Sequence, residues 1–415
     1  MKSKLLQANS IILAVMLAAC SHSTAGDATR ESESPSNSPA PVNTSRLDPG
    51  NYPVVPQPAL GNAGSEHAGR LVEGRRMAAY VVGPWETEPT LVGAVSSGAA
   101  VIDDAHGLSR ATWPPIAGGA YNLPLVVGFV TERQSPGPNP QMSLRNTVLR
   151  FINPSVASDA AQNMTTAARN MPRIPSATPI VTEPERPLPI PNHPDANGTV
   201  LTFQEGTGIV RELTVLTAHG PYVLVQVVRC ASGPDCEAQL AGHALDRQVP
   251  LIDTFVPTDP AGFPTLALDP TGLVARTLPP PAGQVTSMSG AAYPPAAALQ
   301  LEDDPVQAGP LLSAAGVDYV SVNLTTVYQT KDPSAARTLA QAFGDFAAKT
   351  PAAQVSSPVP GLPESGCTRV AGSNGLVPRY WCLATAGRYT VKTIARQLDN
   401  AQQQMAAQYR ILTAS

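Results

Sequence analysis

Cys20 is the residue whose surroundings specify a chemistry most directly. It closes the run Leu17-Ala18-Ala19-Cys20, which has the form of a bacterial lipobox. In such a motif the thiol takes a diacylglyceryl group and becomes the new N-terminus after cleavage, and small residues at 18 and 19 suit a tight peptidase cleft. Lys2 and Lys4 form a positive region ahead of it, and Leu5 to Leu17 is apolar apart from Gln7, Asn9 and Ser10. That run is too short to cross a hydrocarbon layer of about 30 Å and reads as the apolar region of a secretory signal. Four cysteines remain, Cys230, Cys236, Cys367 and Cys382. Four allow three pairings. Pairing in sequence order, 230 with 236 and 367 with 382, closes short loops within single structural units. A metal site is the rival reading, but neither spacing is that of a zinc knuckle and no paired His lies near.

The other candidates for chemistry are weaker. Asp103-Asp104-Ala105-His106 offers metal ligands or a base with its orienting acid, yet residues so close in sequence do not all face one point, and a solvated turn accounts for them. Ala94-Val95-Ser96-Ser97-Gly98 resembles a nucleophile elbow, which needs a strand before it and a helix after it; here Leu91 to Ile102 reads as one small-residue helix. His219 falls in a hairpin turn and His243 on a helix, both read as structural. Glu302-Asp303-Asp304 is acidic but lacks the alternating ligand spacing of a calcium loop. Trp85, Trp113, Trp381, Tyr52 and Tyr80 read as core. No Walker loop, dinucleotide fingerprint or HExxH motif occurs. The expectation is no catalytic residue, no cofactor and no metal. A net charge of -4 excludes a nucleic-acid binder working through a global basic field.

The elements that carry these residues form an α+β chain. His22 to Ser45 is dominated by small and polar residues and reads as a flexible tether. Beyond it, 43% hydrophobic residues suffice for a core, despite 44 prolines. Glu66 to Val82 reads as a helix stopped by Pro84, and Leu123 to Thr131 as a strand. Two stretches then show one order of signals, β-α-β-β-β-α. In the first, Thr147–Ile152 is a strand, Asn153-Pro154-Ser155 caps a helix, and a Pro-rich loop runs to about Pro194. Strands at 200–203, 212–217 and 222–229 follow, then a helix from Asp235. In the second, Tyr319–Thr330 is a strand and Asp332-Pro333-Ser334 the cap. Strands at 367–370, 379–385 and 389–395 lead to a last helix presenting Ile394, Leu398, Ala401, Met405 and Leu412. Gly220-x-Tyr222 matches Gly387-x-Tyr389. The prediction is two related units, each an antiparallel sheet with helices on one face. The division is a signal peptide at 1–19, a tether at 20–45, a domain at 46–255, a Pro/Gly/Ala-rich crossover at 256–315 with little regular structure, and a second domain at 316–415.

Leu47-Asp48-Pro49-Gly50-Asn51-Tyr52-Pro53 and Glu73-Gly74-Arg75-Arg76-Met77-Ala78-Ala79-Tyr80-Val81-Val82 resemble an uncharacterised family of actinobacterial lipoproteins, of mycobacterial or nocardial type. The resemblance covers nearly the whole chain after the leader. It implies the lipid anchor on Cys20, a two-part body and an envelope setting, and no chemistry. The resulting expectation is a lipid-anchored protein on the extracytoplasmic face of the membrane. It would bind an envelope protein, a lipid or a wall polymer without catalysing a reaction. The alternatives are a hydrolase of envelope ester or glycan bonds and a carrier of an apolar ligand.

Overall fold

The abundant prolines have a structural use. Pro84, Pro114, Pro154, Pro234, Pro295, Pro305 and Pro333 each open an α-helix at its first position, where a missing N–H is no loss and the fixed φ suits the helix. Where Asn or Asp precedes the proline, its side chain closes the first turn. Asn153 accepts from the Val156 N–H at 2.9 Å, Asp304 from Gln307 at 3.1 Å and Asp332 from Ala335 at 2.8 Å.

The computed structural model describes residues 42–96, 98–174, 178–371 and 377–414. The expected signal peptide at 1–19, Cys20 and most of the expected tether at 20–45 lie outside the described residues. The chain is docked from Asn43 onward, whose N–H donates to Gly361 O at 3.0 Å, and Leu47 is buried.

In chain order the elements are α1 (Glu66–Met77), α2 (Pro84–Thr87), β1 (Gly93–Ala94), β2 (Ala100–Ile102), α3 (Pro114–Ala117), β3 (Leu125–Gln134), β4 (Met142–Phe151) and α4 (Pro154–Ala168). Then come β5 (Ile180–Val181), β6 (Arg186–Ile190), β7 (His193–Glu205), β8 (Gly208–His219), β9 (Tyr222–Cys230) and α5 (Pro234–Ile252). The remainder is β10 (Ala291–Tyr293), α6 (Pro295–Ala298), α7 (Pro305–Ala314), β11 (Tyr319–Val322), β12 (Thr325–Gln329), α8 (Pro333–Lys349), β13 (Gln354–Ser356), β14 (Gly366–Val370), β15 (Arg379–Ala386), β16 (Tyr389–Ala395) and α9 (Leu398–Thr413).

Two antiparallel sheets result. The first runs β1-β3-β4-β9-β8-β7-β5, with β2 on β3 and β6 on β7; the second runs β10-β11-β12-β16-β15-β14-β13. The order is the same position for position. The two capped helices, α4 and α8, follow equivalent strands β4 and β12. Two-residue hairpins join β8 to β9 and β15 to β16, with Gly220 and Gly387 at φ +51° and +56°, a backbone region that glycine enters without steric cost. The α+β class with two related sheets therefore stands; the first sheet gains β1, β2, β5 and β6, and the second gains β10 and β13 and has two strands, β11 and β12, within 319–330.

Several expectations need correction. The helices cover both faces of each sheet. Along β9, Val223, Val225 and Val227 share a cluster with Ala157, Ala160 and Met164 of α4, while Leu224 and Val228 share another with Leu240, Ala241 and Leu245 of α5. In the second sheet Tyr328 and Leu383 pack with Leu339 and Phe343 of α8, and Cys382, Ala384 and Val391 with Ala401 and Met405 of α9. A strand apolar at consecutive positions must be covered twice. Leu91 to Ile102 is not a helix: Gly98 sits at φ +49°, and β2 pairs with β3 so that Val101 faces Phe129. Tyr319–Thr330 is a hairpin, and Ile394 belongs to β16 rather than to the last helix. The crossover holds β10, α6 and α7 and buries Phe263, Met288, Tyr293, Ala298 and Leu312 in a cluster shared with residues of both sheets. The described residues from 42 to 414 fall in one unit.

Candidate functional site

Disulfides fix two corners. Cys230, the last residue of β9, is bonded to Cys236 in the first turn of α5, with Cα atoms 6.1 Å apart. Cys367 and Cys382 face each other across β14 and β15 and are bonded, Cα to Cα 4.1 Å.

Beside the first disulfide opens a groove of about 560 Å³, lined by the ends of β3 and β9, the starts of β4 and β8 and the residues flanking them. Ile209, 61% exposed, and the half-buried Met142 give it an apolar floor. Its charges are matched in pairs. Arg229 Nε donates to Glu212 Oε2 at 2.8 Å, and its two terminal nitrogens donate to Glu205 at 2.9–3.1 Å. Glu212 is buried and accepts a second bond from Trp113 Nε1 at 2.7 Å. Burial opposes the Arg229 charge, but Glu212 and Glu205 outweigh it and hold the pKa above its ordinary value. Arg211 Nε donates to both oxygens of the buried Glu237 at 3.1–3.2 Å; burial nevertheless keeps the Glu237 carboxyl above the usual carboxylate range.

A second polar cluster lies under α7 and α8. Lys392 on β16 is 4% exposed and Glu302 5%. Lys392 Nζ donates to Glu302 Oε2 at 2.7 Å, and Tyr328 OH donates to Glu302 Oε1 at 2.7 Å. Asp303 Oδ2 stands 3.9 Å from the same nitrogen. Tyr328, Phe343 and Trp381 surround the ammonium with ring centroids 5.4–5.6 Å away, a cation–π enclosure. Burial opposes the Lys392 charge, but Glu302, Tyr328 and Asp303 raise its pKa overall. Burial also raises Asp303 and Tyr328. From the first sheet, Arg133 donates to Gln300 O at 3.1 Å and Glu302 O at 2.7 Å, so the 300–304 segment is held by both sheets. Glu302 and Asp303 are therefore parts of an interior ion cluster, and Asp304 is the cap of α7. Sequence reasoning did not link Lys392 to this run. A lysine within the otherwise buried strand Tyr389–Ala395 was the available signal, because a buried cation requires a partner.

The remaining candidates are scattered. His219 Nε2 and Asp253 Oδ1 share a hydrogen bond at 2.6 Å. Asp104 accepts from the Gly107 N–H at 2.7 Å, and His106 is exposed beside it. Ser96 is in irregular chain after β1, Ser97 lies outside the described residues, and His243 is exposed on α5. Trp85 and Trp381 are core, Trp113 packs edge-on against Phe203, and the half-buried Tyr80 packs on Phe255. Tyr52 OH donates to Asn400 at 2.6 Å. Among the described residues no group of three or more His, Cys, Asp or Glu is placed to hold a metal ion, and no helix is long and apolar enough to cross a membrane.

Residues 60–268 match the N-terminal part, and 273–415 the C-terminal part, of a domain of unknown function, DUF7373. The chain belongs to the DUF7373 family. The boundary between the two parts falls within the crossover, just after the Pro260–Thr265 turn of 3-10 helix. Among solved structures the chain is similar to the extracellular domain of PknH from Mycobacterium tuberculosis, at 13% identity and a TM-score of 0.29, covering 42% of this chain and 95% of that one. No curated protein matches it.

Proposed function

We propose that this chain is a lipid-anchored binding module on the extracytoplasmic face of an actinobacterial-type membrane, tethered through Cys20, and that the groove beside Cys230–Cys236 is where it contacts an envelope protein. The observation that carries the binding role is the groove itself. The exposed Ile209 and the half-buried Met142 form an apolar patch rimmed by ion pairs that neutralise one another, which is the anatomy of a protein interface with an apolar centre and a polar rim. Acid–base catalysis needs a carboxylate or base free to exchange protons with a substrate, whereas Glu205, Glu212 and Glu237 are each committed to an arginine. The open, mixed lining suits a protein surface better than an acyl chain, which fits an enclosed apolar cavity. Disulfides at two corners fit an oxidising compartment.

The test is photocrosslinking in intact cells from a probe at position 209, with a probe at Ile152, exposed at the far end of β4, as the control. A discrete envelope adduct from 209, absent from 152 and lost when Arg229 is replaced by Ala, supports the reading. Equal labelling from both positions contradicts it. The hydrolase reading rests on the His219–Asp253 pair alone, the base and orienting acid of a triad. It predicts ester hydrolysis that His219→Ala abolishes.

A further inference from the structure

We propose that Lys392 and Glu302 are joined by an amide bond, formed autocatalytically in the folded chain, that locks the segment ahead of α7 to the second sheet. The reactants are already in contact: the amine nitrogen is 2.7 Å from Glu302 Oε2. They come from distant parts of the chain and are sealed by Tyr328, Phe343 and Trp381. Intramolecular placement of this kind replaces a bimolecular encounter, and the carbon to be attacked, Glu302 Cδ, is bonded to the oxygen the amine already touches.

The step balances without any co-reactant. The ammonium passes one proton to Glu302 Oε2 along the existing hydrogen bond, giving a neutral amine and a carboxylic acid. The ion pair is the resting form, held by Glu302, Asp303 and the three rings, and the neutral pair is the reactive one reached from it by this single proton shift. The nitrogen lone pair attacks Glu302 Cδ and the C–N bond forms. Charge develops on Oε1, which already accepts the Tyr328 hydroxyl at 2.7 Å, the position of an oxyanion donor. Asp303, 3.9 Å from the nitrogen, carries the second proton from nitrogen to Oε2. The Cδ–Oε2 bond breaks and water leaves. Carboxylate plus ammonium becomes amide plus one water, with no change of oxidation state.

Trp381, 4% exposed, borders a cavity of about 10 Å³ with Glu302, Asp303 and Lys392, close to the room that one expelled water needs.

The test is intact-mass and peptide mass spectrometry of the full chain purified from its producing cell. The proposal predicts a mass one water, about 18 Da, below that of the disulfide-bonded sequence, because acylation of a lysine nucleophile expels water. It also predicts that trypsin fails to cut after Lys392, and that a branched peptide joins residues 302 and 392. Lys392→Arg keeps the cation without the amine nucleophile, restores the full mass and restores cleavage after 392. Asp303→Asn slows the mass loss measured on newly refolded protein. Recovery of the wild-type chain at full mass, with a free peptide ending at Lys392, overturns the proposal and leaves a simple ion pair. A water loss mapped to any other residue overturns it equally.

Discussion

Glu73 on α1 is fully buried, and the structure assigns it four donors. Thr258 N–H donates to Oε1 at 2.7 Å and Thr258 Oγ1 to Oε2 at 3.0 Å. Arg150 Nη1 on β4 donates to Oε1 at 3.3 Å, and Arg76 donates to Oε2. The carboxylate thus ties α1, the first sheet and the crossover together. Removing one partner of a buried ion pair leaves the other charge uncompensated, at a cost of about 3–5 kcal/mol. A body of roughly 370 residues unfolds with an entropy of about 0.8 kcal/mol/K, from about 2.1 cal/mol/K per residue. Glu73→Ala should therefore lower the melting temperature by about 4–6 °C. Arg150→Ala should cost nearly as much. The double variant should cost clearly less than the sum, by roughly 0.5–3 kcal/mol, because the two residues share one network. Differential scanning calorimetry of the four proteins measures this. Additive losses, or single losses under about 1 °C, would refute the reasoning that Glu73 is the tie.

Two further perturbations probe other parts. A Cβ at Gly69 would stand 2.1 Å from Phe263 O, so Gly69→Ala should destabilise by about 1–3 kcal/mol through overpacking between α1 and the crossover; an unchanged urea midpoint would contradict that contact. The disulfides close separations of 6 and 15 residues, worth about 2 and about 3 kcal/mol in the loop-entropy model, so removing 367–382 should lower the melting temperature more than removing 230–236, and the reverse order in thermal melts would count against that accounting.

Much of the topology was legible because local signals and tertiary demands agree. Asn153-Pro154 and Asp332-Pro333 start helices through side-chain caps, and Gly220 and Gly387 turn hairpins, so the matched sheets could be read from spacing. The same cap signature stands at Asp304-Pro305, and recognising it would have placed α7 within the supposed crossover. The consecutive apolar residues Val223, Leu224 and Val225 likewise announce a strand buried on both faces. At Leu91–Ile102 small residues gave a helical pattern that pairing of β2 with β3 overrode, since propensity is a weak prior against tertiary contact. The Lys392–Glu302 cluster joins residues 90 apart in sequence, and no local pattern specifies such a partner. The groove at Ile209 is formed by strand ends and the chain beside them, which meet only once the register is set.

The lipid-anchored, outward-facing placement is tested most directly at Cys20. Cells expressing wild type or Cys20→Ala are labelled with radioactive palmitate, shaved with protease as intact spheroplasts, and fractionated. The account predicts a labelled, membrane-bound wild-type chain degraded from outside, and an unlabelled variant that is released or retained as an uncleaved precursor. A Cys20→Ala chain that fractionates with the membrane as a processed mature species would contradict it.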